Sequence, residues 1–513
     1  MSGPALVERL YAHARERAAE PALRDAHHRL TWAALDARTN RIANALAAAG
    51  IGKGARVAIM SDADAAGALL FLGALKAGAS AVPVPTLIGA EAIGRLLDDC
   101  AAGILFVSAA CRAFLPDRTP PCVAIDFHEE GWLTLEGFLA GSRDAAPDIT
   151  IAPQDEFNII YSSGTTGRPK GIVHSHGLRA AWSAGMAEVS FPAGVRTLTT
   201  TPLYSNWTLG ALIYTLWAGG CVSLLGKFSP ARLAEVSREF APDNVFLVPV
   251  QIARLLEDRD SVAALVALPP ATKWSAGAHL AAEQKHRLMR LWPGRFIELY
   301  GMTEGGPSTL LFADERPDKL HTVGRNDDPG ALRIIDDEGQ ELGPNQRGEI
   351  VGRAVEVMDG YHNDPAATEA LIWRSPEGEV FFRSGDTGCL DEEGFLQILD
   401  RKKDMVISGG FNIYAVDLEA VLLAHPSVAE AAVFAAPSLR WGESPVAAVI
   451  LKAGAAGEGE EIRKWANGRL GRLQHLSAVV VTEALPRGGL GKVLKRELRA
   501  TYAHLGDAGV GST

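Results

Sequence analysis

Cysteine is scarce in this sequence. The five thiols in 513 residues, Cys100, Cys111, Cys122, Cys221 and Cys389, are odd in number and show no CxxC spacing. That excludes a disulfide-built scaffold and a thiolate zinc site, and leaves reduced, mostly buried thiols. Long apolar runs are missing too, so no segment is expected to span a membrane. Residues 1–20 read as a charged amphipathic helix rather than a secretory leader, as expected of a cytoplasmic protein.

Positive charge is in deficit. Lys and Arg number 50 against 61 Asp and Glu, a net charge of −11. A nucleic-acid binder wants a basic face, so nucleic acid is not an expected partner. An anionic small molecule must then be held by local groups. The phosphate pattern GxxxxGK[ST] is absent. So is any Ser-His or Cys-His elbow of the kind that forms a covalent intermediate. Internal repeats and long low-complexity segments are also lacking.

What is present is a globular composition, 47% hydrophobic and 22% charged. The length exceeds what one hydrophobic core serves, which implies two or more domains. Short apolar strands alternate with helical patterns from residue 31 to about residue 255, the mark of mostly parallel, doubly wound sheets. Helices are expected at 6–17, 31–49, 65–77, 178–189, 209–216 and 230–239, and strands at 56–60, 104–107, 157–161, 197–203, 221–225 and 244–248. Residues 331–353 alternate short β runs with turns, a small β subdomain. After a charged break at 400–404, the pattern is a compact α+β unit of domain size. The expected fold is therefore α/β: a large N-terminal domain, residues 1–402, of two doubly wound βα subdomains plus the small β subdomain, then a small mobile α+β domain, residues 403–513.

The densest chemical signal is the stretch YSSGTTGRPKG at 161–171, placed after an apolar strand. Small hydroxylated residues and glycine can wrap phosphate with backbone N–H groups and hydroxyls. The lysine can offset charge on the outer phosphates. Further on, YGMTE at 300–304 follows a predicted strand and offers an aromatic for stacking, a hydroxyl and a carboxylate suited to Mg²⁺. SGDTG at 384–388, DRKKD at 400–404, SGGFN at 408–412 and PRGGLGKV at 486–493 complete the set.

In this order these segments closely resemble the signatures of the adenylate-forming superfamily, which includes acyl-CoA synthetases, aryl-CoA ligases, peptide-synthetase adenylation domains and luciferases. The resemblance covers nearly the whole chain. It implies that Ser162, Ser163, Gly164, Thr165, Thr166, Gly167 and Lys170 hold the phosphates of ATP. It implies that Glu298, Leu299, Tyr300, Gly301, Met302 and Thr303 line the adenine and phosphate site, with Glu304 on Mg²⁺. Asp386 would bind the ribose hydroxyls and Arg401 the nucleotide. Lys403 falls at the hinge about which the small domain turns. Lys492 matches the catalytic lysine that bridges the attacking carboxylate and the α-phosphate, with Thr303 and Glu304 also in the catalytic set.

The same resemblance assigns coenzyme A contacts to Ser408, Gly409 and Gly410, where glycine lets the backbone approach a thin pantetheine arm. Trp441 is either an aromatic near CoA or small-domain core. Lys227 is either a contact to a CoA phosphate or a surface lysine. The acyl pocket falls to Ser205, Trp207, Gly277 and Ala278. Ser205 stands where the family commonly has histidine, and the Trp207 indole would shorten or flatten the cavity.

The implied activity is an ATP-dependent, AMP-forming carboxylate–CoA ligase acting on an aromatic or short-to-medium-chain acid. The implied partners are ATP, Mg²⁺, CoA and the acid, in a monomer or homodimer. One rival is an adenylating enzyme that loads a carrier-protein pantetheine thiol. Lys227, Trp441 and the lack of a fused carrier domain after Lys492 weigh against it. A second rival, a non-catalytic nucleotide-binding regulator, is opposed by the joint presence of Lys170, Thr303, Glu304, Asp386, Arg401 and Lys492.

Overall fold

The computed structural model describes residues 5–62, 64–86, 89–162, 170–354, 356–401, 405–408, 411–471, 474–488 and 491–508. The chain divides into two compact units. The first comprises Met1–Gly324 with Arg353–Phe382, the second Arg325–Gly352 with Arg383–Thr513.

The first unit is built on two 8-stranded sheets. One runs in the order Ser308–Phe312, Phe296–Gly301, Thr272–Ser275, Asn244–Leu247, Arg196–Thr199, Cys221–Leu224, Pro21–Arg24, Arg29–Thr31. Its inner strands pair in parallel, and both edge strands are antiparallel. The other runs Gly360–Tyr361, Lys170–Ser175, Glu156–Ser162, Ser80–Pro83, Arg56–Met60, Ile104–Val107, Cys122–Ala124, Leu133–Thr134. Parallel strands covered on both faces read as continuous apolar runs, and Ile104–Val107, Asn244–Leu247 and Cys221–Leu224 are buried throughout.

Helices start where the local chemistry supplies a cap. The Thr31 hydroxyl accepts from the Ala34 N–H at the start of Trp32–Ala48, and the Ser205 hydroxyl accepts from the Trp207 N–H at the start of Asn206–Trp217. Helices Trp32–Ala48 and Ala65–Lys76 pack closely because residue 73 is glycine. A Cβ there would lie 2.4 Å from Ile42 Cγ2. One buried apolar cluster runs from Leu6 and Leu10 through Trp32, Phe71 and Phe157 to Leu209 and Leu212, filling the space between elements of both sheets.

Within the second unit, Leu332–Ile335 pairs with Gly348–Gly352, and Leu396–Arg401 pairs with the end of strand Val380–Leu390. A further sheet orders Phe411–Ile413, Val406–Ser408, Gly442–Leu451 and Val428–Ser438, with Ala478–Val481 parallel to Gly442–Leu451. Helices Ala415–Leu423 and Gly459–Asn467 cover it over a core that includes Leu418, Leu422, Val433, Val449 and Ile462.

The α/β class and its mix of sheets follow the sequence reading. Several boundaries differ. The strand expected over 197–203 ends at Thr199, because Pro202 has no N–H to donate to a ladder. The helix expected to begin at 178 begins at His176, capped by Ser175, which accepts from the Leu178 N–H. The helix expected over 209–216 spans Asn206–Trp217. Helix Ala90–Cys100 and strand Lys170–Ser175 were not read from the sequence. All five cysteines are free. Among the described residues no helix is long and apolar enough to cross a membrane.

Candidate active site

In a parallel sheet every strand ends on the same edge, and open α/β sheets bind ligands there. The first sheet ends parallel strands at Thr199, Leu224, Ser275 and Gly301. The segments just beyond them carry Ser205 and Trp207, Lys227, Gly277 and Ala278, and Met302, Thr303 and Glu304. Residues far apart in sequence are thus gathered on one edge. Lys227 and Gly277 are exposed, and Ala278 is half-buried. Gly277 sits at φ +90°, where a side chain would be strained. Trp207 donates its indole Nε1–H to the Leu247 carbonyl at 3.1 Å and packs 4.5 Å from the Phe246 ring centroid.

Glu304 is aimed by the turn that follows it. Gly305 and Gly306 take φ +83° and +89°. A Cβ on Gly305 would also come within 3.1 Å of Val357 Cα. The Met358 N–H donates to the Glu304 carbonyl at 2.9 Å. The Tyr361 hydroxyl donates to Glu304 Oε1 at 2.7 Å. Burial, then the Glu304 charge, raises the Tyr361 pKa, so the phenol stays a donor.

Tyr361 lies on the short strand Gly360–Tyr361, which pairs with Val173 and Ile172 of the return strand of the phosphate hairpin. Lys170 opens that return strand and holds its ammonium 4.8 Å from the Tyr361 ring centroid. The lysine of the phosphate motif and the carboxylate of YGMTE thereby meet at one phenol. Position 171 must be glycine for this approach, since a Cβ would lie 2.9 Å from Ile159 Cγ2 and 3.1 Å from His362 Cβ. Ser163, Gly164, Thr165, Thr166 and Gly167 lie outside the described residues, and Ser162 ends the strand that leads to them.

A buried polar relay supports Thr303. His174 is fully buried, and its pKa lies well below the usual range because of burial and the nearby Arg179 charge. The ring is therefore neutral. Its Nε2 is 2.7 Å from the Thr303 carbonyl, which can only accept, so Nε2 carries the proton. Nδ1 must then accept from Asn158 Nδ2, 3.3 Å away. That orients Asn158 Oδ1 toward Arg179, which donates Nε–H and Nη2–H to it at 3.1 and 2.9 Å. Arg179 Nη2 also donates to Asn206 Oδ1 at 2.9 Å. Tyr361, His174, Asn158, Arg179 and Asn206 were not singled out in the sequence. None lies in a glycine-rich motif, and only tertiary contact makes them a set.

Glu298 is fully enclosed. Its carboxylate forms a buried ion pair with Lys285, whose ammonium also donates to the Thr322 carbonyl at 2.8 Å. Burial raises the Glu298 pKa, and Lys285 opposes that rise. The side chain is thus committed to the core. Lys285→Met should leave this carboxylate buried and unpaired, at a cost of about 3–5 kcal/mol. Chemical denaturation measures the loss, and the double replacement with Glu298→Leu should recover most of it.

The remaining candidates lie in the second unit. Asp386 and Arg401 are register partners on adjacent strands. The Ser384 hydroxyl donates to the Ile350 carbonyl at 2.8 Å and accepts from the Asp386 N–H at 3.0 Å, fixing the backbone there. Lys492 sits in a closed turn: the Gly488 N–H donates to its carbonyl at 2.8 Å, and Arg487 pairs with Val493 as a β-bridge. Ser408 is the register partner of Gly442, which brings it beside Trp441. Trp441 is 41% exposed with the Arg440 guanidinium over its ring at 4.8 Å, so it is not part of the core. Lys403, Gly409 and Gly410 lie outside the described residues.

Two doubly wound sheets that bring the Lys170 ammonium and the Glu304 carboxylate to one phenol, with Asp386 and Arg401 in register in a separate unit, make an arrangement suited to a nucleotide-dependent ligase. Residues 10–362 match the model of the AMP-binding enzyme family, and residues 417–492 match that of the AMP-binding enzyme C-terminal domain. The chain is 32% identical to the indoleacetate–CoA ligase of Aromatoleum aromaticum, over 97% of this chain and 98% of that protein. It is 30% identical to the long-chain-fatty-acid–CoA ligase FadD13 of Mycobacterium tuberculosis, over 93% of each chain. Its fold superposes on ATP-bound MatB from Rhodopseudomonas palustris with a TM-score of 0.84 at 28% identity, covering 97% of this chain and 99% of that one. The chain belongs to the AMP-binding enzyme family, in its acid–CoA ligase branch.

Proposed function

We propose that this ligase activates an aromatic or short-to-medium-chain carboxylic acid as its acyl-adenylate and passes the acyl group to the thiol of CoA. The observation that carries the proposal is the meeting of Lys170 and Glu304 at Tyr361. In the first half-reaction a carboxylate oxygen attacks the α-phosphorus of ATP and pyrophosphate leaves. In the second, the CoA sulfur attacks the acyl carbon, AMP leaves, and the thiol proton goes to solvent. The protein supplies position and charge rather than a covalent nucleophile.

Lys170, with Ser162 and the loop 163–167, is assigned the outer phosphates. Tyr300, flanked by Leu299, Gly301 and Met302, is assigned the adenine. Asp386 and Arg401 take the ribose and nucleotide, and Lys492 the charge that develops at the α-phosphate. Glu304 suits Mg²⁺. No group of three or more His, Cys, Asp or Glu side chains is placed to cage a metal among the described residues. One carboxylate plus phosphate oxygens is the donor set Mg²⁺ favours, and the ion would neutralise phosphate charge there. Ser408, Gly409, Gly410, Trp441 and Lys227 are assigned to CoA. Residues 403–513 are assigned as the mobile body, turning at Lys403 between the two half-reactions. The need for ATP and CoA supports a cytoplasmic location.

Pyrophosphate release on mixing with ATP, Mg²⁺ and a panel of acids tests this reading. CoA should then yield a thioester with the same acid. Transfer only to a pantetheinylated carrier protein would favour the carrier-loading alternative, and no release with any acid would end the ligase reading.

Ser205, Trp207, Gly277 and Ala278 are assigned to the acyl pocket. Trp207→Ala should move kcat/KM toward bulkier or longer acids by about 10-fold or more, since each methylene in an apolar pocket is worth about 1–3 kcal/mol. An unchanged acid profile in a folded variant would place the indole outside the pocket.

A further inference from the structure

Asp99 stands where its own helix disfavours it. It lies in the last turn of helix Ala90–Cys100, which stops at Ala101 in the left-handed region at φ +47°. A helix ends in a partial negative charge, so a carboxylate there costs stability. Among the described residues no Lys or Arg forms an ion pair with it. Its partner is a neutral phenol instead: the Tyr161 hydroxyl donates to Asp99 Oδ2 at 2.5 Å. Residues that break a local rule are expected at functional sites.

The bond reaches the root of the phosphate hairpin. Tyr161 is buried in one cluster with Ile93, Leu96 and Leu97 of the same helix. Burial, then the Asp99 bond, raises its pKa, so the phenol stays a donor. Tyr161 is the register partner of Gly171, and Ser162 that of Lys170. These are the last described pairs on either side of residues 163–169. A Cβ on Gly171 would lie 3.0 Å from Tyr161 Cζ, so the ring and the return strand fit without slack.

The Asp99 backbone serves the other side. Its carbonyl is among the acceptors that a helix end leaves without an internal partner. His362 Nε2 at 3.1 Å and Asn363 Nδ2 at 3.3 Å donate to it. These two residues follow Tyr361, where Lys170 and Glu304 meet, and the His362 N–H donates to the Gly171 carbonyl at 2.7 Å. One residue thus holds Tyr161 by its side chain and the Tyr361 segment by its backbone.

We propose that Asp99 is a positioning residue for ATP: through the Tyr161 hydroxyl it fixes the strand end that carries the phosphate segment, and with it the placement of Lys170. The proposal rests on the ligase reading and adds to it a residue outside every motif. Asp99 acts through Tyr161. A charged acceptor makes that bond stronger than a neutral one would, which offsets the cost at the helix end.

The test compares the wild type with Tyr161→Phe, Asp99→Leu, Asp99→Asn and the double variant Tyr161→Phe/Asp99→Leu, all as full chains. Tyr161→Phe keeps the ring and loses only the hydroxyl. It and Asp99→Leu should each raise the KM for ATP in pyrophosphate release, and the calorimetric Kd for Mg-ATP, by about 10-fold or more, as expected from small misplacement of binding groups. The KM for the acid, and transfer from supplied acyl-AMP to CoA, should stay within about threefold. Asp99→Asn keeps an acceptor oxygen and should bring the KM for ATP back to within about threefold of wild type. The double variant should be no worse than the poorer single one, since both changes remove the same bond.

An unchanged KM for ATP in folded Tyr161→Phe overturns the proposal, as do additive losses in the double variant. A fall in melting temperature with equal rises in the KM values for ATP, acid and CoA also overturns it, and marks the bond as a brace for the fold. Where Asp99→Leu fails to fold, Tyr161→Phe decides. Absence of pyrophosphate release by the wild type with any acid would end the ligase reading, yet the Kd for Mg-ATP would still judge Asp99: a rise of about 10-fold in Tyr161→Phe sustains its role and an unchanged value overturns it.

Discussion

Replacing Lys492 by alanine should lower acyl-adenylate formation by about 10²–10³-fold or more, the scale expected when a group aimed at transition-state charge is removed. The reacting carboxylate and the α-phosphate are both anionic, so the approach of one to the other concentrates negative charge. A lysine held at a fixed point neutralises that charge without having to reorganise. The backbone at Lys492 is anchored for such a role, with the Gly488 N–H on the Lys492 carbonyl and Arg487 Nη1 donating to the Gly491 carbonyl at 2.7 Å. The second half-reaction builds no pentavalent phosphate with an incoming carboxylate. Thioester formation from supplied acyl-AMP and CoA should therefore stay within about threefold of wild type, as for a residue used in one transition state only. Pyrophosphate release and thioester formation, measured separately, check the prediction. Equal loss in both steps would show that Lys492 serves the fold or both reactions.

Lys403→Pro should do the reverse. Lys492 is assigned to adenylation, and the segment beginning at Ser408 is assigned to CoA in the transfer step. Both follow residue 402, so one fixed placement of residues 403–513 is not expected to serve both steps. A short hinge can absorb a large domain turn in a few backbone dihedrals. Proline fixes φ near −65° and restricts the residue before it. Acyl-AMP should still accumulate, while transfer to CoA falls by about 10²-fold or more, as expected from misplacing reactive groups. Single-turnover adenylation and steady-state thioester formation read the two steps apart. Wild-type overall turnover would remove the hinge. So would an adenylation defect as large as the transfer defect in a folded variant.

Much of this site is legible as text because its chemistry needs backbone as much as side chains. Gly305, Gly306 and Gly277 sit at positive φ, where other residues are strained, so such positions stand out as glycine clusters at fixed spacing. Glu304 is found beside Gly305, Asp386 beside Gly385 at φ +69° and Lys492 beside Gly491 at φ +80°, while Lys170 precedes Gly171. The α/β class is legible for a similar reason, since parallel strands buried on both faces must be apolar throughout. Tyr361 and His174 have no such marker. A tyrosine after a glycine, or a histidine in a strand, is unremarkable until folding sets it 2.7 Å from Glu304 Oε1 or from the Thr303 carbonyl.

The ambiguous residues were settled by burial. Trp441 could have been core or contact by its neighbours in sequence, and its exposure excludes the core. Glu298 reads as part of the nucleotide segment, yet Lys285, on the helix that precedes its strand, holds its carboxylate in the core.

The sequence alone determined the α/β class, the order of the YSSGTTGRPKG, YGMTE, SGDTG and PRGGLGKV segments, and the expectation of a mobile C-terminal body. Local rules act on neighbouring residues: glycine where φ is positive, apolar runs where a strand is covered on both faces. Tertiary structure alone decided that Lys170 and Glu304 converge on Tyr361, that Glu298 pairs with Lys285, and that the buried Arg179 donates to the amides of Asn158 and Asn206. Each of these is a charge or hydrogen-bond balance between residues on different elements. Such a balance exists only once the chain has excluded water and brought those elements within about 3–5 Å of each other, where electrostatic terms become large.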